Sequence, residues 1–137
     1  MVKAKEFWDY LCNELDYRFF SGVPCLGLKP LYDEMSSKFM HYIPAANEKI
    51  ALGLVSGAWL SGTKGAVLMD YGNLGDINKL LSAFNEKYKV PALIIIYDEN
   101  YKCINKKTIY ENLKKLVKDI EKENKPGIFF IGKGDLE

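Results

Sequence analysis

The residues best placed for chemistry lie in the run His41-Tyr42-Ile43-Pro44-Ala45-Ala46-Asn47-Glu48-Lys49-Ile50-Ala51, followed by Gly53 and Gly57. Glu48 falls in the first turn of the most regular helical pattern in the chain. A carboxylate there complements the positive end of the helix dipole. Gly53 and Gly57 each cost ~1 kcal/mol relative to alanine inside a helix. Two of them on one helix imply a close approach, either by the protein's own packing or by another subunit or a flat ring. His41, the sole histidine, sits in a strand pattern, where structural, partner-bonded and proton-transfer roles are all open.

Other chemistries are excluded by what is missing. One histidine cannot build a multi-histidine metal centre. Cys12, Cys25 and Cys103 are odd in number and form no C-x-x-C pair, so they read as reduced thiols of a cytoplasmic protein. There is no Gly-Lys-Ser/Thr after a strand, no G-x-G-x-x-G and no G-x-S-x-G. Lys and Arg total 19 against 18 Asp and Glu. That balance gives no global field for nucleic acid or an anionic membrane. Arg18 is the only arginine, so a diphosphate held by this chain alone would lack the planar guanidinium grip. The first ten residues lack the apolar run of a signal peptide, and the longest wholly apolar run, Ala92 to Tyr97, is too short to span a bilayer.

The positioning elements follow from periodicity. Ala4, Phe7, Trp8, Leu11 and Leu15 predict a first helix over Lys3 to Glu14. Tyr17 to Phe20 suits a strand, broken by Ser21-Gly22-Val23-Pro24. A second helix is expected from about Lys29 to Ser37, with Leu31 and Met35 inward, then a strand from Phe39 to Ile43. The helix after Asn47 is expected to bury Ile50, Ala51, Leu54, Val55, Ala58 and Trp59. Ala66 to Met69 and Val90 to Tyr97 are apolar without alternation, as in strands covered on both faces. A helix from about Ile77 to Tyr88 separates them. Thr108 is the expected cap of the last helix, which buries Ile109, Leu113, Leu116, Val117 and Ile120. Pro126-Gly127 is expected to stop it, and Ile128 to Ile131 to form the fifth strand.

Alternating strands and helices over 137 residues, 48% of them hydrophobic, predict one α/β domain over residues 1–137. The fold class is a three-layer sandwich with a mostly parallel sheet joined by right-handed crossovers. Ligands in such sheets gather beyond the carboxyl ends of the strands. That edge comprises Ser21 to Cys25, Pro44 to Glu48, Asp70 to Asp76 and Tyr97 to Tyr101.

Ser21-Gly22-Val23-Pro24 with Leu28-Lys29-Pro30-Leu31, Ala45-Ala46-Asn47-Glu48 with Ala51 and Gly57, and Gly72 with Ile77-Asn78-Lys79-Leu80-Leu81-Ser82 occur in one order. In that order and spacing, from about Phe19 to Tyr97, the chain resembles the pyrimidine-binding domain of sulfopyruvate and phosphonopyruvate decarboxylases, which use thiamine diphosphate. The resemblance implies that Glu48 is the cofactor-activating glutamate, hydrogen-bonded to the pyrimidine ring. It implies that Ser21, Gly22, Val23 and Pro24 line the cofactor's entrance and that Asn47 and Gly72 shape its pocket. The cofactor would supply the electron sink for decarboxylating a small 2-oxo acid.

The resemblance also implies a partner. Family enzymes hold the diphosphate and Mg2+ on a separate domain marked by Gly-Asp-Gly, and Gly75-Asp76-Ile77 lacks the second glycine. No metal ligand is therefore expected in this chain. A diphosphate-binding, beta-type subunit is expected to complete the site in a homo- or hetero-oligomer, without nucleic acid or membrane. Where the family shows Gln-Asn-Ser-Gly, this chain has Met69-Asp70-Tyr71-Gly72, and Asp98-Glu99-Asn100 adds charge at the same edge. These residues disfavour a doubly anionic sulfonate or phosphonate substrate. Two further readings stand beside this one: a catalytically inactive module of the same fold used for oligomerisation or partner binding, and a flavodoxin-like small-ligand domain.

Overall fold

The computed structural model describes residues 2–36, 41–101 and 105–136. Helix α1 (Ala4–Asp9) continues through a π-helical turn, Tyr10–Glu14, into strand β1 (Phe19–Gly22). A 3-10 turn, Leu26–Leu28, opens α2 (Lys29–Ser36), followed by β2 (His41–Pro44), α3 (Glu48–Leu60) and β3 (Gly65–Asp70). A second 3-10 turn, Tyr71–Asn73, leads to α4 (Gly75–Leu80), extended by a π-helical turn, Leu81–Glu86. Strand β4 (Ala92–Tyr97), helix α5 (Lys106–Glu123) and strand β5 (Pro126–Ile131) complete the order.

The five strands form one sheet in the order β2-β1-β3-β4-β5, and every pairing is parallel. This is the α/β three-layer architecture expected, with a sheet that is wholly rather than mostly parallel. The order is also that of doubly wound small-ligand domains such as flavodoxin. Ala66, Leu68, Leu93 and Ile95 face one layer with Phe7, Trp8, Leu31 and Leu113 from α1, α2 and α5. Val67, Met69, Ile94 and Ile96 face the other layer, with Ala51, Leu52 and Val55 of α3 and Ile77 of α4. Burial on both faces is why Ala66 to Met69 of β3 and Ala92 to Ile96 of β4 are apolar without alternation.

The crossovers do not all share one hand. Between β3 and β4 the chain crosses on the α3–α4 face; between β4 and β5 it moves in the same direction along the sheet but crosses on the other face. The α5 crossover thus has the opposite hand to the other three, against the strong right-handed preference of such units. The placement has a physical reason: α5 buries Ile109, Leu113, Val117 and Ile120 over Leu93, Ile95, Phe129 and Ile131, a face that α1 and α2 leave uncovered.

Several local expectations are corrected. Strand β1 runs on through Ser21 and Gly22, because both residues pair with β2 and β3. Helix α3 is rotated from the expected face: Glu48, Ala51, Leu52, Val55 and Ser56 are buried, while Ile50 and Leu54 are exposed. The cap of α5 is Asn105, whose Oδ1 accepts from the Thr108 amide at 2.9 Å; Thr108 itself lies inside the helix. That helix ends at Asn124 in the left-handed conformation, with φ 51°, so Pro126 and Gly127 belong to β5. Phe39, the Met35 side chain and the His41 side chain, all named by the sequence reading, lie outside the described residues.

Tyr17 illustrates the cost of dense packing. Its ring is fully buried against Trp59 with the Lys64 ammonium 5.0 Å from the ring centre, and its hydroxyl has no hydrogen-bond partner among the described residues. Burial, reinforced by Glu121, pushes the phenol far above its ordinary range. Removing an orphaned buried hydroxyl relieves ~1 kcal/mol, so Tyr17→Phe is expected to raise the urea midpoint at neutral pH. The raised pKa favours the neutral phenol in the fold, so its contribution holds below about pH 10 and is lost as pH rises further. Comparing wild type and variant midpoints at pH 7 and pH 11 checks both signs; Tyr17→Phe should lose less stability on the alkaline side.

Candidate functional site

The carboxyl ends of β1, β3 and β4 and the start of α3 meet at one edge of the sheet. Chain leaving β1 enters α2 on one face, whereas chain leaving β3 enters α4 on the other. The two divergent connections open the crevice in which doubly wound sheets bind ligands.

At the end of β1 the backbone is crowded. A Cβ on Gly22 would collide with the Leu68 carbonyl oxygen of β3, so only glycine permits this pairing. The Gly22 carbonyl accepts from the Ala45 amide at 2.9 Å and from the Tyr42 hydroxyl at 3.2 Å. The buried Ser21 hydroxyl donates to the Ile43 carbonyl at 2.7 Å. Ser21 and Gly22 thus tie β1 to β2 and the chain entering α3. Val23 is half-buried and Pro24 exposed at the mouth of the edge.

Asn47 and Glu48 divide the work at the start of α3. The exposed Asn47 side chain caps the helix, accepting from the Ile50 amide at 3.0 Å. That leaves Glu48, the first helical residue, to turn inward, where it is only 5% exposed. The Asn73 amide donates to Glu48 Oε1 at 2.8 Å. Among the described residues the carboxyl makes no ion pair. A buried carboxyl held by one amide is under-satisfied by the usual standard. Oε2 is not among the occluded, partnerless atoms, so it is the oxygen left for an external donor.

Asn73 reaches Glu48 from the 3-10 turn after β3. Asp70 caps that turn, its Oδ2 accepting from the Gly72 amide at 3.0 Å. On its other side the turn borders a cavity of about 350 Å³ lined by Asp70, Tyr71, Gly72, Tyr97, Asp98 and Glu99. Among the described residues, three acids and no lysine or arginine line it. Burial, then the charges of Glu99 and Asp70, push the Tyr97 phenol upward.

The outward face of α3 is a separate surface. Ile50 is 48% and Leu54 38% exposed. A Cβ placed on Gly53 or Gly57 would meet nothing within 4 Å among the described residues. Internal packing therefore does not account for these glycines. A concavity of about 640 Å³ opens beside them, lined in part by Phe19, Ile43, Leu54, Gly57 and Ala58.

All seven residues singled out from sequence, Ser21, Gly22, Val23, Pro24, Asn47, Glu48 and Gly72, lie along this one edge. Glu48 is brought to the turn containing Gly72, whereas Ser21 and Gly22 are engaged within the sheet. Asn73 escaped the sequence reading, because a single amide in a turn carries no periodic signal.

The fold is a three-layer α/β domain with a wholly parallel sheet, consistent with the pyrimidine-binding type. No protein-family model matches the chain. It is 35% identical over 79 residues to the sulfopyruvate decarboxylase subunit alpha of Methanococcus maripaludis, a match covering 57% of this chain and 47% of that protein. The subunit alpha of Methanocaldococcus jannaschii is 34% identical over 79 residues, with the same coverage. That of Methanothermobacter thermautotrophicus is 28% identical over 80 residues, covering 57% of this chain and 48% of that protein. The chain thus spans about half the length of the curated relatives it matches, and the family likeness read from its motifs extends to these three proteins. No helix among the described residues is long and apolar enough to cross a membrane.

The crowding at Gly22 can be tested directly. Gly22→Ala is expected to destabilise the protein by ~3 kcal/mol, since the colliding atom is backbone and cannot rotate away. Ser21→Ala should lose only ~1 kcal/mol. Urea unfolding of both variants checks the ranking.

Proposed function

We propose that this chain is the pyrimidine-side, alpha-type subunit of a thiamine diphosphate-dependent 2-oxo acid decarboxylase, completed by a diphosphate-binding, beta-type subunit. The observation that carries the reading is the buried, under-satisfied Glu48 carboxyl at the ligand-binding edge of a chain similar to three sulfopyruvate decarboxylase alpha subunits.

The residues present fit one half of the cofactor. Glu48 offers Oε2 to a ring nitrogen, and the first turn of α3 holds the carboxyl in place. The diphosphate finds no such fit among the described residues, where the adjoining cavity is lined by Asp70, Asp98 and Glu99 without a cation. That half and its Mg2+ therefore fall to the partner. When bound, the cofactor supplies the electron sink for loss of carbon dioxide. Glu48 would hold the pyrimidine side through Oε2 and share a proton there, Asn47 sets where α3 begins, and Gly72 keeps the turn beside the carboxyl slim. Val23 and Pro24 stand at the entrance, with Ser21 and Gly22 fixing the strand from which it opens.

The exposed apolar and glycine-bearing face of α3 supports assembly, since its helix begins at the acid itself. The same surface equally serves a module that has lost the reaction and kept only the docking. The negative wall of the cavity favours a 2-oxo acid without a second anionic group, by like-charge exclusion. Turnover decides between the readings. The purified pair, supplied with thiamine diphosphate and Mg2+, is expected to release carbon dioxide from neutral 2-oxo acids faster than from sulfopyruvate. Glu48→Gln should lower that rate at least ~100-fold without dissociating the pair. A pair that binds the cofactor and releases no carbon dioxide from any 2-oxo acid would leave the non-catalytic module.

A further inference from the structure

We infer that Asn73 is a positioning residue for Glu48, fixing which carboxyl oxygen carries the exchangeable proton; the inference rests on the proposed role of Glu48. Asn73 is exposed, on the turn after β3, yet its side-chain nitrogen stands 2.8 Å from Oε1 of an acid that is only 5% exposed. An amide N–H is a donor only, and the hydroxyl oxygen of a protonated acid is a poor acceptor. While the bond holds, a proton on Glu48 resides on Oε2, the oxygen without a partner among the described residues. The bond also fixes the rotation of the carboxyl plane, so Oε2 is presented in one direction rather than two.

The support for Asn73 is itself built. The Asp70 carboxylate accepts from the Gly72 amide and caps the turn, and the Leu74 amide donates to the Tyr71 carbonyl at 3.0 Å. The acid on α3 and the amide after β3 are 25 positions apart in sequence, so the contact exists only when the sheet is assembled. It couples the start of one helix to the rim of the acidic cavity.

The test compares wild type with Asn73→Leu, Asn73→Gln, Glu48→Gln and the double variant Glu48→Gln/Asn73→Leu, each paired with the diphosphate-binding subunit. Asn73→Leu preserves bulk at an exposed position and removes the donor. It is expected to lower kcat ~10-fold with substrate KM within about twofold, and to weaken thiamine diphosphate binding, read by tryptophan fluorescence titration, ~3- to 10-fold. Asn73→Gln, which keeps the amide, should recover most of both losses. The double variant should be no worse than Glu48→Gln alone, because residues acting as one unit are non-additive. Wild-type behaviour of Asn73→Leu, or full additivity in the double variant, would overturn the assignment and leave the role of Glu48 standing. Wild-type turnover and cofactor affinity in Glu48→Gln would instead remove the reading on which it rests.

Discussion

The close approach of β1 to β3 at Gly22 is the constraint on which the rest of the structure depends. Because the backbone there has no room for a Cβ, the two strands reach their carboxyl ends together and then part to opposite faces. The divergence creates the crevice. The Gly22 carbonyl, bonded to Ala45 and Tyr42, carries the same constraint into β2 and the loop before α3. The position at which α3 starts, and hence the inward turn of Glu48, follows from that chain of backbone contacts.

Helix α3 then has two jobs on two faces. Its inner face, with Ala51, Leu52 and Val55, closes the core, and Ser56 accepts from the buried Asn85 amide at 2.9 Å. Its outer face keeps Ile50, Leu54 and two glycines uncovered. A helix that carried only the first job would lose stability through its glycines for no return. The acid sits where the two faces begin, at the edge of the sheet, and the acidic cavity lies on the far side of the turn that holds it. Under the proposed function, a group so placed is oriented by its own chain and would be completed by another.

Much of this was legible in the sequence. The apolar runs of β3 and β4 gave no alternation because both faces are covered, and that pattern alone implied a parallel sheet. The amphipathic stripe of α5 was also readable, through Ile109, Leu113, Val117 and Ile120. Three things were not. The face of α3 was misjudged because Ile50 and Leu54 are as apolar as Leu52, and hydrophobicity does not say whether water or another surface lies outside. The Asn105 cap was passed over for Thr108, since both residue types cap helices and only geometry separates them. The hand of the α5 crossover has no local sequence mark at all; it is set by which sheet face other helices have left bare. For the site, the position of Glu48 was legible, and its bond to Asn73 was not, because it joins segments far apart in the chain.

The central claim is that the cofactor site is divided between two chains, with Glu48 on one side of it. Calorimetric titration of thiamine diphosphate and Mg2+ into this chain, into the diphosphate-binding subunit, and into their mixture tests it most directly. The account predicts strong, saturable binding by the mixture, at one cofactor per pair, and none by this chain alone. Equal affinity of the diphosphate-binding subunit with and without this chain, or no binding by the mixture, would contradict it.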